Sequence, residues 1–134
     1  MTLLESPREG TSHELPGAAH RWTDVCAIDD LTPDRGVCAL VDGAAVAVFS
    51  CWPDGALFAV GNLDPYSGAS VISRGIVGSI GDRPIVASPI FKNRFDLETG
   101  VSLDDDTVAL PIHPIEVRNG RVLVAALDRH LTPG

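Results

Sequence analysis

No segment of this chain runs far before a glycine or a proline interrupts it. The 134 residues hold 13 glycines and 10 prolines, and no window of about 11 residues carries an apolar stripe at helical spacing. Proline removes a helix donor and clashes with the preceding turn, while glycine raises the entropic cost of ordering the backbone. Short strands tolerate such punctuation, because each needs only about five or six residues between turns. The chain is therefore read as all-β, with many short strands closing a sandwich or barrel.

The turns place the strands. Trp22-Thr23-Asp24-Val25 alternates apolar and polar side chains and opens a first strand reaching Ile28, followed by a loop over Asp29–Gly36. Val37–Val41 and Ala44–Ser50 flank Asp42-Gly43, a pair that reaches the positive φ angles of a two-residue hairpin at little cost. Trp52-Pro53-Asp54-Gly55 turns again, and Ala56–Gly61 supplies the third strand of a meander. Further on, Ile115–Val124 reads as a hairpin around Asn119-Gly120. The stretch before it, Val108–Val117, contains Pro111 and Pro114, which donate no ladder hydrogen bond, so this strand lies at an edge or begins late. Gly75-Ile76-Val77-Gly78-Ser79-Ile80-Gly81 lacks the order and the lysine of a phosphate loop and is read as a flexible or tightly turning loop. Residues 1–20 mix proline, glycine and charge as a flexible N-terminal tail would. A single domain is expected over residues 21–126, and a C-terminal tail over 127–134, with a helical turn within 125–131.

Composition narrows the function classes. Formal net charge is −8 and Lys92 is the only lysine, a surface that repels phosphate backbones and anionic lipid, so neither nucleic acid nor membrane is an expected partner. No apolar run approaches the 18–20 residues of a membrane helix, and the start of the chain lacks a basic segment followed by an apolar core, which points to a cytoplasmic protein. Cys26, Cys38 and Cys51 form no short-spaced clip and are read as buried free thiols. His13 and His20 fall in the tail, His130 is isolated, and His113 is read as a structural side chain on a strand. Asp104-Asp105-Asp106 is read as a solvated loop, since calcium-loop spacing does not follow. No recognisable catalytic set emerges from these residues.

Two loops carry a resemblance. Asp64-Pro65-Tyr66-Ser67-Gly68-Ala69 is similar to the first cluster-binding loop of Rieske iron–sulfur domains. Ser88-Pro89-Ile90-Phe91, with Phe95-Asp96-Leu97-Glu98-Thr99-Gly100, is similar to the second. Upstream pieces agree, among them Leu31 with Pro33 and Gly36, the Val41-Asp42-Gly43 hairpin, and Asp54-Gly55 ahead of Ala56–Val60. The resemblance implies a Rieske-like fold of stacked antiparallel sheets, including a small former cluster-binding subdomain. A Rieske centre takes two thiolates and two imidazoles, one of each from each loop. Here the resemblance places Asp64 and Tyr66 at the first pair of ligand positions and Ser88 and Phe91 at the second. No soft donor or imidazole remains, so no cofactor and no metal are expected on this chain.

Ser73-Arg74-Gly75-Ile76-Val77-Gly78 resembles a branch of the family without cluster ligands, the small subunits of NAD(P)H-dependent assimilatory nitrite reductases. That resemblance implies a non-catalytic accessory subunit partnered by a large subunit. The large subunit would carry FAD, siroheme, an iron–sulfur centre and the NAD(P)H site, and would reduce nitrite to ammonium in nitrate assimilation. The alternative is a free-standing Rieske-derived binding or scaffold module without redox function. On the first reading, Pro65, Tyr66, Arg74, Pro89, Ile90, Phe91, Lys92 and Arg94 form a candidate partner interface, with Arg83 nearby. Tyr66 and Phe91 are expected to fill the space of the lost cluster, so that Phe91→Ala would cost about 3–5 kcal/mol.

Overall fold

The computed structural model describes residues 21–127. The N-terminal tail expected over residues 1–20 and residues 128–134 of the C-terminal one lie outside the described residues, as do His13, His20 and His130. Strand β1 is Trp22–Ala27, β2 Gly36–Val41, β3 Ala44–Cys51, β4 Ala56–Gly61, β5 Ile76–Ile80, β6 Arg83–Ala87, β7 Arg94–Asp96, β8 Ile115–Arg118 and β9 Arg121–Ala125. They form three antiparallel three-stranded sheets, ordered β1-β9-β8, β2-β3-β4 and β5-β6-β7. The all-β, Rieske-like architecture expected from punctuation and resemblance is the observed one.

The layers follow from β3. Val46 to Cys51 are all buried, because the strand is covered on both faces, and such a strand reads as a continuous apolar run. Ala47, Phe49 and Cys51 pack toward Val86 and Phe95 of the β5-β6-β7 sheet, together with Ile72, Leu97 and Leu110. Val46 and Val48, on the opposite face, pack with Val122 and Val124 of β9. The middle sheet thus separates the two cores and holds the outer sheets apart.

Turn chemistry sets the registers. Asp42 and Gly43 adopt φ of 52° and 85°, and Asn119 and Gly120 adopt 51° and 77°, the positive pair of a type I′ hairpin. Those hairpins pair Val41 with Ala44 and Arg118 with Arg121. The proline-interrupted stretch resolves as a late start. Ala109 and Ile112 make only isolated bridges, to Val101 and Val60, and β8 begins after Pro114, on a sheet edge.

Three expectations need correction. The segment read as a flexible loop is the strand β5, which pairs through Val77↔Val86 with β6 across a Gly81-Asp82 turn. Gly81 at φ 64° opens a type II′ turn, the alternative hairpin that needs glycine only at its first central position. The helical turn expected within 125–131 is absent at its start, where Ala125 ends β9 and pairs with Trp22. The thiols differ from one another: Cys51 is buried, Cys26 half-buried and Cys38 exposed, since Cys38 lies on the outward side of edge strand β2.

Candidate functional site

The two loops of interest leave the middle and outer sheets side by side. The first follows β4 and is stapled at its root by Asn62, a buried amide. Its Oδ1 accepts from the Ser73 N–H at 2.7 Å and its Nδ2 donates to Ser70 Oγ at 2.8 Å. The second loop joins β6 to β7 and closes through Lys92 N–H to Ser88 O at 3.1 Å and Ser88 N–H to Asn93 O at 2.9 Å. This closure holds Lys92 in the left-handed region at φ 66°.

Asp64 organises the site. Its carboxylate is fully buried and accepts from the Tyr66 N–H at 2.9 Å and from Ser67 Oγ at 3.0 Å within its own loop. From the second loop it accepts Ser88 Oγ at 2.6 Å, and Ser88 is fully buried too. The two positions that resemblance assigns to the cysteine ligands therefore bond to each other and clasp the loops together. Burial pushes the Asp64 carboxyl up, but hydrogen bonds from Ser88, Tyr66 and Ser67 outweigh it and hold the group below the usual carboxylate range. Bonds to the charged form favour ionisation.

The other two positions part company. Tyr66 turns inward and packs against the core, its ring centroid 6.0 Å from that of Phe95 and its hydroxyl 2.8 Å from Ser102 Oγ. Phe91 turns outward and is 64% exposed, so it fills no space between the loops. The expected aromatic plug is half right at Tyr66 and wrong at Phe91, and the stability penalty expected for Phe91→Ala falls with it.

These four residues do not fit a [2Fe–2S] cluster. A cluster of this kind needs thiolate sulfur and, in the Rieske case, imidazole nitrogen. Asp64 and Ser88 are hard oxygen groups already bonded to one another, Tyr66 is committed to Ser102, and Phe91 has no lone pair. Among the described residues no three His, Cys, Asp or Glu side chains converge as a metal group would require.

A second buried carboxylate shapes the strip after β7. Asp96 accepts from Arg83 Nε at 2.8 Å, and its Oδ1 takes the N–H groups of Glu98 and Thr99 at 2.7 and 3.2 Å. Burial raises its pKa, yet the Arg83 bonds and those two N–H groups bring it below the ordinary value. Arg83, expected near the partner interface, is thus occupied in holding the chain's own turn. Asp104 likewise accepts from Asn93 Nδ2 at 3.0 Å, and Asp105 from the Thr107 N–H at 2.9 Å. The aspartate run serves local turns. His113 is buried with Nδ1 2.9 Å from Ala125 O, the structural part expected of it.

The remaining interface candidates lie on the outside. Pro65 and Arg74 are exposed, as are Lys92 and Arg94, with Pro89 half-buried. Ile90 is 46% exposed, and Leu63, which sequence reasoning passed over, is 57% exposed. These exposed apolar tips with cations beside them carry no nucleophile and no acid–base pair. The clasp was also missed from sequence. Its only local signal is Asp64 three residues ahead of Ser67, an arrangement that favours a side-chain-capped turn.

The family model for the Rieske-like [2Fe-2S] domain matches residues 21–125. The chain is 50% identical to the Mycobacterium tuberculosis protein whose crystal structure is assigned as an NADH-dependent nitrite reductase small subunit. That likeness has a TM-score of 0.78 and covers 81% of this chain and 97% of the other. It is 37% identical over 102 residues to the nitrite reductase (NADH) small subunit of Escherichia coli, covering 76% of this chain and 94% of that one. It is also 35% identical over 103 residues, 77% of its length, to a stretch making up 11% of the nitrite reductase [NAD(P)H] large subunit of Klebsiella oxytoca.

Proposed function

The chain belongs to the Rieske-like domain family, among the small subunits of nitrite reductase, and from this we propose that it is the non-catalytic accessory subunit of a nitrite reductase [NAD(P)H]. Its partner on this reading is the large subunit, which carries FAD, siroheme, an iron–sulfur centre and the NAD(P)H site. The complex reduces nitrite to ammonium in the cytoplasm, in nitrate assimilation. The observation that carries the reading is the Asp64–Ser88 clasp. Where a redox domain of this family would hold its metal, this chain keeps both loops and joins them by a hydrogen bond. The chain's own contribution is then contact, not electron transfer.

The contact face is formed by Pro65 from the first loop and Pro89, Ile90 and Phe91 from the second, with Lys92 and Arg94 at its rim. Arg74 borders it beside β5, and Tyr66 supports it from beneath. Exposed aromatic and branched side chains provide the area that anchors an interface, and rim cations steer approach in an otherwise acidic molecule.

Co-purification tests the proposal. Tagged chain co-expressed with the large subunit of the same organism should retain it and yield nitrite-dependent NADH or NADPH oxidation. Phe91→Glu combined with Lys92→Glu should weaken retention at least tenfold, equivalent to about 1.4 kcal/mol. Separate elution of the two wild-type chains overturns the proposal and favours a free-standing module.

A further inference from the structure

Strand β5 is an open edge whose sequence is complementary to itself. Among the described residues, the order β5-β6-β7 leaves one side of β5 without a neighbour. In the register closed by Gly81-Asp82, Ile76, Gly78 and Ile80 stand opposite Ala87, Ile85 and Arg83 and exchange hydrogen bonds with them. The N–H and C=O groups of Val77 and Ser79 consequently point outward. Among the described residues none of those groups meets a backbone partner. Natural edges are protected by lysine, proline, an inward charge or a bulge, and Ile76–Ile80 contains none of these.

We propose that β5 pairs antiparallel with β5 of a second copy about a two-fold axis through Gly78, joining the two β5-β6-β7 sheets into one. Reversing Arg74-Gly75-Ile76-Val77-Gly78-Ser79-Ile80-Gly81-Asp82 about Gly78 sets Ile76 against Ile80, Gly75 against Gly81, and Arg74 against Asp82. Val77 of each copy then exchanges both bonds with Ser79 of the other, which satisfies every outward group. Ile76 and Ile80 project from one face of the sheet, 67% and 43% exposed, and each covers the other copy's partner residue. A Cβ built at Gly78 meets nothing within 4 Å, so a side chain placed there has room on the open face. Arg74 and Asp82 are both exposed and enter no ion pair among the described residues.

Charge selects a second copy as the occupant. A chain with a net charge of −8 repels itself over most of its surface. Arg74 closes the turn four residues before Gly78 and Asp82 lies in the hairpin turn four residues after it, so a two-fold axis at Gly78 brings each toward its opposite at the two ends of the paired strands. Such self-complementarity is the mark of an isologous two-fold interface. The pairing leaves the Ile90–Lys92 tip free for the large subunit, while Arg74 borders both contacts.

The test uses the full chain with Cys38→Ser, which removes the exposed thiol, and Gly78→Cys. Across the axis the two Cα atoms would lie about 4.5 Å apart, within the span a disulfide bridges. Mild oxidation should convert most of this variant to a covalent dimer, while Ser79→Cys, out of register and on the other face, should form no covalent dimer. By sedimentation, the wild-type chain should pass from monomer to dimer with rising concentration. Arg74→Asp should weaken that association at least tenfold, and adding Asp82→Arg should restore it. Three results overturn the proposal: a monomer at every concentration with no Gly78→Cys cross-link, equal cross-linking of the two cysteine variants, or a cross-link from position 78 to the large subunit.

Discussion

At the scale of single residues, burial separates two phenylalanines that sequence treats alike. Phe91 sits at a position where resemblance places a metal ligand, and a ligand position suggests an interior. It stands outside because the second loop closes through Lys92 and turns its tip to solvent. Phe91→Ala should therefore leave thermal stability within about 0.5 kcal/mol of wild type, as surface changes do. Phe95→Ala, in the core between the sheets, should cost about 3–5 kcal/mol. Parallel urea denaturation of the two variants checks this, and equal losses would contradict it. The clasp makes a prediction of its own. Asp64 has a folded pKa below its unfolded value, so its contribution is complete above the unfolded value, near pH 4, and is lost as pH falls through the folded one. Asp96 adds to the same acid lability. Asp64→Asn should lower stability at pH 7 by about 2 kcal/mol, the scale of a hydrogen bond to a charged group. Its deficit against wild type should shrink below about pH 4. A denaturant series across pH reads that gap directly, and a constant gap would mean the carboxylate does not hold the loops. Neither behaviour could be deduced from sequence, because the partners of Asp64 and Ser88 lie 24 residues apart and no local pattern joins them.

At the scale of elements, legibility followed turn chemistry. Asp42-Gly43 and Asn119-Gly120 announce their hairpins, and the strands beside them were readable to within a residue or so. The β5-β6 hairpin was hidden for a physical reason. Gly75, Gly78 and Gly81 break the alternation that marks a half-buried strand, and each glycine has a separate cause. Gly75 passes so close to β6 that a Cβ would lie 2.4 Å from Ala87 O. Gly81 takes the positive φ of the turn, and Gly78 lies on the open face. Pro84, which on a central strand argues against sheet structure, is tolerated because it faces Ser79 at a pair that exchanges no bond in this register and because pairing with β7 begins only at Ile85. A segment can thus look like a loop because packing, turn geometry and an exposed edge each ask for small residues.

At the scale of the whole molecule, the three-layer order sets the chain ends apart from the contact face proposed above. The described ends meet in the β1-β9-β8 layer, where the Ala126 N–H donates to Arg21 O at 3.0 Å. The second loop belongs to the β5-β6-β7 layer, across the middle sheet. A tether leaving the end of the chain therefore need not cross the Ile90–Lys92 tip. This arrangement makes sense of a relative in which a stretch similar to this chain forms part of a large subunit. In such a protein the contact becomes intramolecular, and a flexible linker supplies an effective concentration in the millimolar range. Joining the C-terminus of this chain to the large subunit through a Gly/Ser linker should preserve nitrite-dependent oxidation of the nicotinamide. The fused protein should hold that activity on dilution to concentrations at which the separate subunits dissociate and lose it. Phe91→Glu within the fusion should be tolerated far better than in the separate chains, because the tether offsets the weakened contact. If the fusion is inactive while the mixed subunits work, the ends of the chain themselves lie in the interface, and contact would belong to the β1-β9-β8 layer instead of the loops.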